Sequence, residues 1–356
     1  MLTETRATLA SDAMHPLAAR RILRLALGTA LSLWFSQAVG WPLSYMAPVL
    51  TMMILALPLR APNLKQGIGF VFALLLPIIA AMVFLPFLWH ARWAGILLIA
   101  LALYYTFYYT ARGGSEIIGT LMTVGLTLTV TIGSVNASIM LFLIQAMAKC
   151  AVAGIAFVWV AHALLPDPPR DPNAAPRRPP PVKPDLSEAR RNAFRSLVIV
   201  LPIALIFLFM SGSPAYTVVM IKVAAMGQQA TADHSREMGR SLLESVLWGA
   251  LGALIGWALL SAWPSLLFYT LLVALAGLLF GRGIFRGPAV HPKFSMWSYA
   301  FLTMIVILAP AVLDGQGSDG AGVAIWSRIF LFLLIAIYGT TAVAVFDAFF
   351  PSKKPM

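Results

Sequence analysis

Apolar residues along this chain come in long blocks, not in the three-to-four-residue stripe of a soluble amphipathic helix, and polar residues gather in the short gaps between blocks. Crossing roughly 30 Å of hydrocarbon at about 1.5 Å per residue takes about 20 residues of helix, and most blocks have that length. Spans are predicted at 22–40, 44–59, 66–87, 93–111, 115–133 and 137–165, then at 195–211, 215–230, 238–261, 264–281, 295–313 and 324–349. The expectation is an all-α, polytopic membrane protein with about 12 transmembrane helices.

One stretch interrupts the pattern. The segment opening PDPPRDPNAAPRRPPPVKPDLS at Pro166 is too rich in Pro and charge to bury a core, and reads as a semi-extended, solvated linker. It divides the chain into an N-terminal segment 1–21, a first six-helix repeat 22–165, the linker 166–190, a second six-helix repeat 191–351 and a tail 352–356. The two halves look alike. AARRILRLAL at 18–27 faces EARRNAFRSL at 188–197, Tyr45 of SYMAPVLTMM faces Tyr216 of AYTVVMIKVA, and Gly67 falls near Gly239. AHALLP closing at Pro166 faces FDAFFP closing at Pro351, and the shared order points to a duplicated unit. Six is even, so both copies insert in the same orientation. Their pseudo-two-fold axis then lies along the membrane normal, with the pathway at the interface between the halves.

Composition agrees, at 60% hydrophobic and 11% charged. A net charge of +12 would suggest nucleic acid in a soluble protein. Here the basic residues flank apolar blocks, which excludes nucleic acid as a partner and makes the lipid bilayer the expected surroundings. With the N-terminus inside, all but four of the 25 Lys and Arg fall at cytoplasmic ends, loops or tails. The exceptions are Arg92 and Arg328 near the other side and Lys149 and Lys222 within spans, so both termini are expected in the cytoplasm. Arg20, Arg21 and Arg24 before an apolar run ending at Ser36-Gln37-Ala38 have the outline of a secretory signal. The same arrangement recurs mid-chain behind Arg190, Arg191 and Arg195, so the run is read as the first span. The single cysteine, Cys150, cannot form an intramolecular disulfide, and no Cys/His spacing suggests a metal site.

An ionisable group inside a span costs several kcal/mol by order of magnitude and is usually kept for a pathway or a partner. Lys222 lies seven residues past the start of the span at 215–230, and the alignment through Tyr45 and Tyr216 sets Thr51 opposite it. The functional reading is an anion site near the axis, with Lys222 as the charge and Thr51 as the hydroxyl donor; the alternative is a snorkelling or carboxylate-paired lysine. Lys149 is a second cation at depth, and Arg328 is either a gate-side anion contact or an interfacial anchor. Pro48 removes a helix hydrogen bond and invites a break that would open the second helix around a substrate. Glu244, Asp347 and His162 are the candidates for proton coupling, although Glu237, Arg240 and Glu244 share one helical face and can neutralise one another. Gly249, Gly252 and Gly256 put small residues on neighbouring turns and read as helix packing. No metal triad, nucleophile elbow or carboxylate dyad occurs, so neither enzyme activity nor a cofactor is expected.

An Arg-led first helix, the Tyr45-x-Ala47-Pro48 opening of the second, a third helix bearing Gly67 and Gly69, and a repeat of the whole unit resemble the fusaric-acid-resistance and aromatic-acid-exporter superfamily of bacterial inner-membrane proteins. The likeness covers nearly the whole chain, but Tyr216 is not followed by Ala-Pro, and no large soluble region accompanies the spans. The resemblance implies export of small aromatic or other organic acids driven by the proton motive force, often with a periplasmic membrane-fusion adaptor as partner. Plant malate channels with a related six-helix half imply an anion pathway between halves. The expectation is therefore an exporter of small organic anions. Its alternatives are a passive organic-anion channel of the same fold and a non-transporting scaffold subunit; a homo-oligomer is a further candidate assembly.

Overall fold

Residues 16–133, 137–167, 185–209, 219–220, 222–228, 236–286, 289–291, 293–314 and 321–350 are described by a computed structural model. Helices follow the apolar blocks: α1 Pro16–Ala38, α2 Met46–Leu55, α3 Leu64–Met82, α4 Leu85–His90, α5 Arg92–Ala111, α6 Glu116–Gly133, α7 Ala137–Leu164, α8 Leu186–Phe209, α9 Arg236–Ala262, α10 Leu266–Ile284, α11 Phe294–Asp314 and α12 Ala321–Phe349. Residues 219–220 and 222–228 are also helical. Local chemistry sets several starts. The Gln66 side chain accepts from the Asn63 N–H at 2.9 Å ahead of α3, and Ser265 Oγ accepts from the Phe268 N–H at the start of α10. Asp185 caps α8 through the Leu186 N–H and the Ser187 hydroxyl, and that hydroxyl, then the N–H, hold its carboxyl below the ordinary carboxylate range. The departure from an all-helical chain is a two-residue strand pair, Phe285–Arg286 with Ala289–Val290.

By length and composition, seven helices among the described residues are able to cross a membrane: Leu64–His90, Arg92–Ala111, Met140–Leu164, Arg240–Ala262, Leu266–Ile284, Phe294–Val312 and Ile325–Phe349. The first of these joins α3 and α4 across a turn at Val83 and Phe84. Two expectations need correction. The span set at 44–59 is helical only over Met46–Leu55, roughly 15 Å and half a hydrocarbon core. Its residues are nearly all buried in protein, which is where a short helix is tolerated at membrane depth. The linker set at 166–190 is shorter than its composition suggested, because α8 begins at Leu186; residues 168–184 lie outside the described residues.

Packing is built on close approaches between helices distant in sequence. α3 runs along α6 and α7, α9 along α11 and α12, α1 along α10, and α5 along α8. α2 is held between α1 and α7 and also touches α11. Small residues permit these approaches. A Cβ at Gly277 of α10 would lie 2.7 Å from the Ala26 Cα of α1, and one at Gly281 would lie 2.9 Å from Ile22 Cγ2. On α9, Gly249, Gly252 and Gly256 face Thr303, Met304 and Leu308 of α11, as their spacing predicts. Gly67 leaves room for the Trp159 ring, whose Nε1 donates to the Pro62 carbonyl at 2.8 Å.

The α1–α10 contact gives a direct test. Gly277→Leu forces a side chain into the α1 backbone and is expected to lower stability in detergent by about 1–3 kcal/mol, whereas Gly69→Ala, with nothing within 4 Å of its Cβ, is expected to leave the melting temperature unchanged. Equal melting of the two variants would separate α1 from α10.

Candidate functional site

The helical residues 222–228 are all buried. At their head Lys222 is 3% exposed, and its Nζ donates to Thr303 Oγ1 of α11 at 3.0 Å. Thr303 Oγ1 in turn donates to the Tyr299 carbonyl one turn back, at 2.7 Å, which leaves a lone pair turned to the amine. The Tyr299 ring sits 5.8 Å from Nζ, within cation–π range. Room for this arrangement comes from Gly249 of α9, where a Cβ would lie 2.6 Å from both Thr303 Cβ and the Ala300 carbonyl oxygen. Among the described residues no carboxylate pairs with Lys222, and one of its donors is used.

From Tyr299 the polar contacts continue toward the end of the bundle where α6 and α11 begin. The Tyr299 hydroxyl donates to Glu116 Oε1 of α6 at 3.4 Å. Both residues line a cleft of about 70 Å³ between α2, α6 and α11, whose other polar walls are Thr120, Ser295 and Ser298. Each of the two longer helices brings a polar stripe to this region. Glu116, Thr120, Thr123 and Thr127 recur every three or four residues on α6, and Ser295, Tyr299 and Thr303 every four on α11. Gln228 extends the first stripe, donating through Nε2 to Thr123 Oγ1 at 2.8 Å.

The other expected site residues do not gather here. Thr51 is buried against α1 and α7, its Oγ1 lying 2.9 Å from the Ala47 carbonyl, 3.0 Å from Ser32 Oγ and 3.2 Å from the Gly154 carbonyl, where its one proton goes to a carbonyl and its lone pair takes that of Ser32; the hydroxyl beside Lys222 is that of Thr303. Pro48 does not break the second helix. It stands in the first turn of the uninterrupted α2, where its missing N–H has no bond to lose, and Tyr45 is the buried N-cap of the same helix. Tyr216 lies outside the described residues. Lys149 is exposed on α7, and Arg328 is buried near the start of α12.

Of the three proton-coupling candidates, Glu244 and Asp347 are held in ion pairs. Glu244 is paired with Arg240 at 2.6 Å and Lys293 at 3.2 Å. Asp347 is paired with Arg191 at 3.0 Å and Arg195 at 3.5 Å. His162 Nδ1 lies 2.8 Å from the Val158 carbonyl within its own helix. Sequence reasoning missed the run from Lys222 through Thr303 and Tyr299 to Glu116 and the separate Gln228–Thr123 pair. The available signal was the pair of polar stripes in otherwise apolar helices.

Comparison with known sequences gives one finding. Residues 21–161, which run from the start of α1 almost to the end of α7, match a family described as protein of unknown function (DUF2955). No curated protein and no solved structure matches the chain.

Stability measurements separate a charge kept for packing from one kept for use. Lys222→Met exchanges a buried amine for an apolar side chain of similar length, and is expected to melt at or above the wild-type temperature. Thr303→Val strands the amine without its partner and is expected to cost about 1–3 kcal/mol. A Lys222→Met variant clearly less stable than Thr303→Val would make the lysine a structural element.

Proposed function

We propose that this chain is a multi-pass secondary transporter that moves small organic anions, aromatic carboxylates among them, through a pathway between two six-helix halves. The observation that carries the reading is Lys222. It is a cation enclosed at depth, partnered among the described residues by one hydroxyl and an aromatic ring, and connected through Tyr299 to a cleft that opens at one end of the bundle. Burying such a group without a carboxylate partner opposes stability, and intramembrane cations of this kind mark anion pathways. A carboxylate substrate supplies the missing negative charge, and its apolar or aromatic body fits the Met52, Met53 and Tyr299 walls of the cleft.

Several observations support two repeated halves. The DUF2955 match spans the stretch assigned to the first repeat. Packing recurs between corresponding helices: α3 with α6 and α7 matches α9 with α11 and α12, while α1 against α10 matches α8 against α5. The ends correspond too. Arg20 donates to the Pro166 carbonyl and Arg24 pairs with Asp167 at 2.8 Å, while Arg191 donates to the Phe350 carbonyl and Arg195 pairs with Asp347 at 3.5 Å. A single register then relates Arg20 to Arg191, Arg24 to Arg195, Tyr45 to Tyr216 and Thr51 to Lys222. It replaces the one-residue-different alignment of the first helices given above. About 12 crossings, both termini in the cytoplasm of a bacterial inner membrane and relationship to the aromatic-acid exporters belong to this proposal.

In the proposed cycle the anion enters the cleft, the Tyr299–Glu116 contact gives way, and the carboxylate reaches Lys222. Alternate opening of the two sides by movement of one half against the other carries it across. The test is efflux from cells loaded with benzoate and aliphatic carboxylates, with and without an uncoupler. Lys222→Met is expected to lower efflux by about tenfold or more, the loss of one charge-assisted contact, at unchanged protein level. Efflux by this variant equal to wild type would overturn the site. Flux that persists under the uncoupler would make the same pathway a passive channel.

A further inference from the structure

A second cavity, which shares no lining residue with the cleft below Lys222, lies on the surface formed by α9, α10 and α11. It is a groove of about 340 Å³ whose floor holds Gly252 and Gly256 and whose rims include Ile255, Leu259, Leu275 and Leu279. These rim side chains are among the large apolar groups exposed on the molecule. The groove runs along α9 from Trp248 to Leu259, roughly 16 Å at 1.5 Å per residue, about one leaflet of a 30 Å hydrocarbon core. Shape and length therefore suit one acyl chain lying parallel to the helices.

One end of the groove is chemically marked. Trp248 and Trp297 close it, with ring centroids 5.7 Å apart, as indoles do at a membrane–water boundary. One basic residue stands beyond that boundary on each of the three elements. Arg240 precedes Trp248 by two turns of α9, Lys293 precedes Trp297 by about one turn, and Arg282 follows Leu279 near the end of α10. The Arg240 and Lys293 side chains are 80% and 56% exposed, and Glu244 binds both, which holds the two cations together at the mouth. The local balance of these four groups is positive. A groove with an apolar floor one leaflet long, an indole boundary and a cationic mouth matches an anionic lipid, in which chain and headgroup charge are joined at that spacing.

We propose that this groove is a specific site for an anionic diacyl phospholipid, with an acyl chain over Gly252 and Gly256 and the phosphate at Arg240, Lys293 and Arg282. The site does not use the Lys222 pathway, so its test is independent of transport. Native mass spectrometry of the purified full chain, titrated with phosphatidylglycerol or phosphatidylcholine of the same acyl chains, reads the preference directly. Wild type is expected to retain phosphatidylglycerol in excess. The preference should fall by roughly fivefold for each basic residue removed and approach parity in Arg240→Gln/Arg282→Gln/Lys293→Gln. Ile255→Trp, which fills the groove from its exposed rim, should remove the tightest lipid while melting like wild type. Equal retention of both lipids, or a preference unchanged in the triple variant, would overturn the proposal. Conversion of a dimer to a monomer by Ile255→Trp would overturn it too, by assigning the groove to a second copy of the chain.

Discussion

Hydrocarbon cannot satisfy a polar group, and the arrangement of this protein follows from how it meets that constraint. Backbone groups are satisfied within helices. Threonine hydroxyls in α6 and α11 bond back to carbonyls one turn earlier, as Thr123 does to Gly119 and Thr303 to Tyr299. Basic side chains at helix starts reach the last carbonyls of other helices, as Arg24 does at Leu165 and Arg191 at Phe350. Lys222 departs from this pattern as a buried cation whose hydrogen-bond partner among the described residues is a single hydroxyl, and buried groups such as the Tyr269 and Ser298 hydroxyls also stand without one. Such a departure from local satisfaction is expected where function, not stability, selects the residue.

The contacts that hold the bundle together also explain how it could move. α1 leans on α10 and α5 on α8, so the first helix of each proposed half is anchored to the fourth of the other. Gly277 and Gly281 let α1 and α10 approach closely, at Ala26 and Ile22. By contrast, a polar contact across the cleft is a hydrogen bond of 3.4 Å between Tyr299 and Glu116. In the proposed transporter, close helix packing beside this polar contact suits two bodies that rock about a fixed site.

Much of this was legible in the sequence because the bilayer imposes a simple rule on apolar length. The expected spans overlap described helices, seven of which are long and apolar enough to cross a membrane, while α1 and α8 start at Pro16 and Leu186, ahead of the expected 22 and 195. α2 was too short for the rule, since burial in protein and not lipid sets its length. Lys222 was legible as a cation in an apolar run. Its surroundings were not, because alignment of two halves gives equivalent positions, and equivalent positions touch only on the axis. Thr51 accordingly bonds within its own half, to Ser32 and Gly154, and the hydroxyl at Lys222 comes from a helix 81 residues further along the chain. Glu116 and Tyr299, 183 residues apart, meet only through the fold.

The most direct measurement is accessibility at the hydroxyl beside the lysine. In a Cys150→Ser background, Thr303→Cys would be exposed to small anionic and cationic thiosulfonate reagents, with and without a carboxylate substrate. An anion pathway at Lys222 predicts modification from the aqueous phase, faster for the anionic reagent, slowed by substrate, and without that charge preference once Lys222 is replaced by Met. A thiol in the Thr303→Cys variant that neither reagent reaches would contradict the account, because Lys222 would then be a sealed structural group.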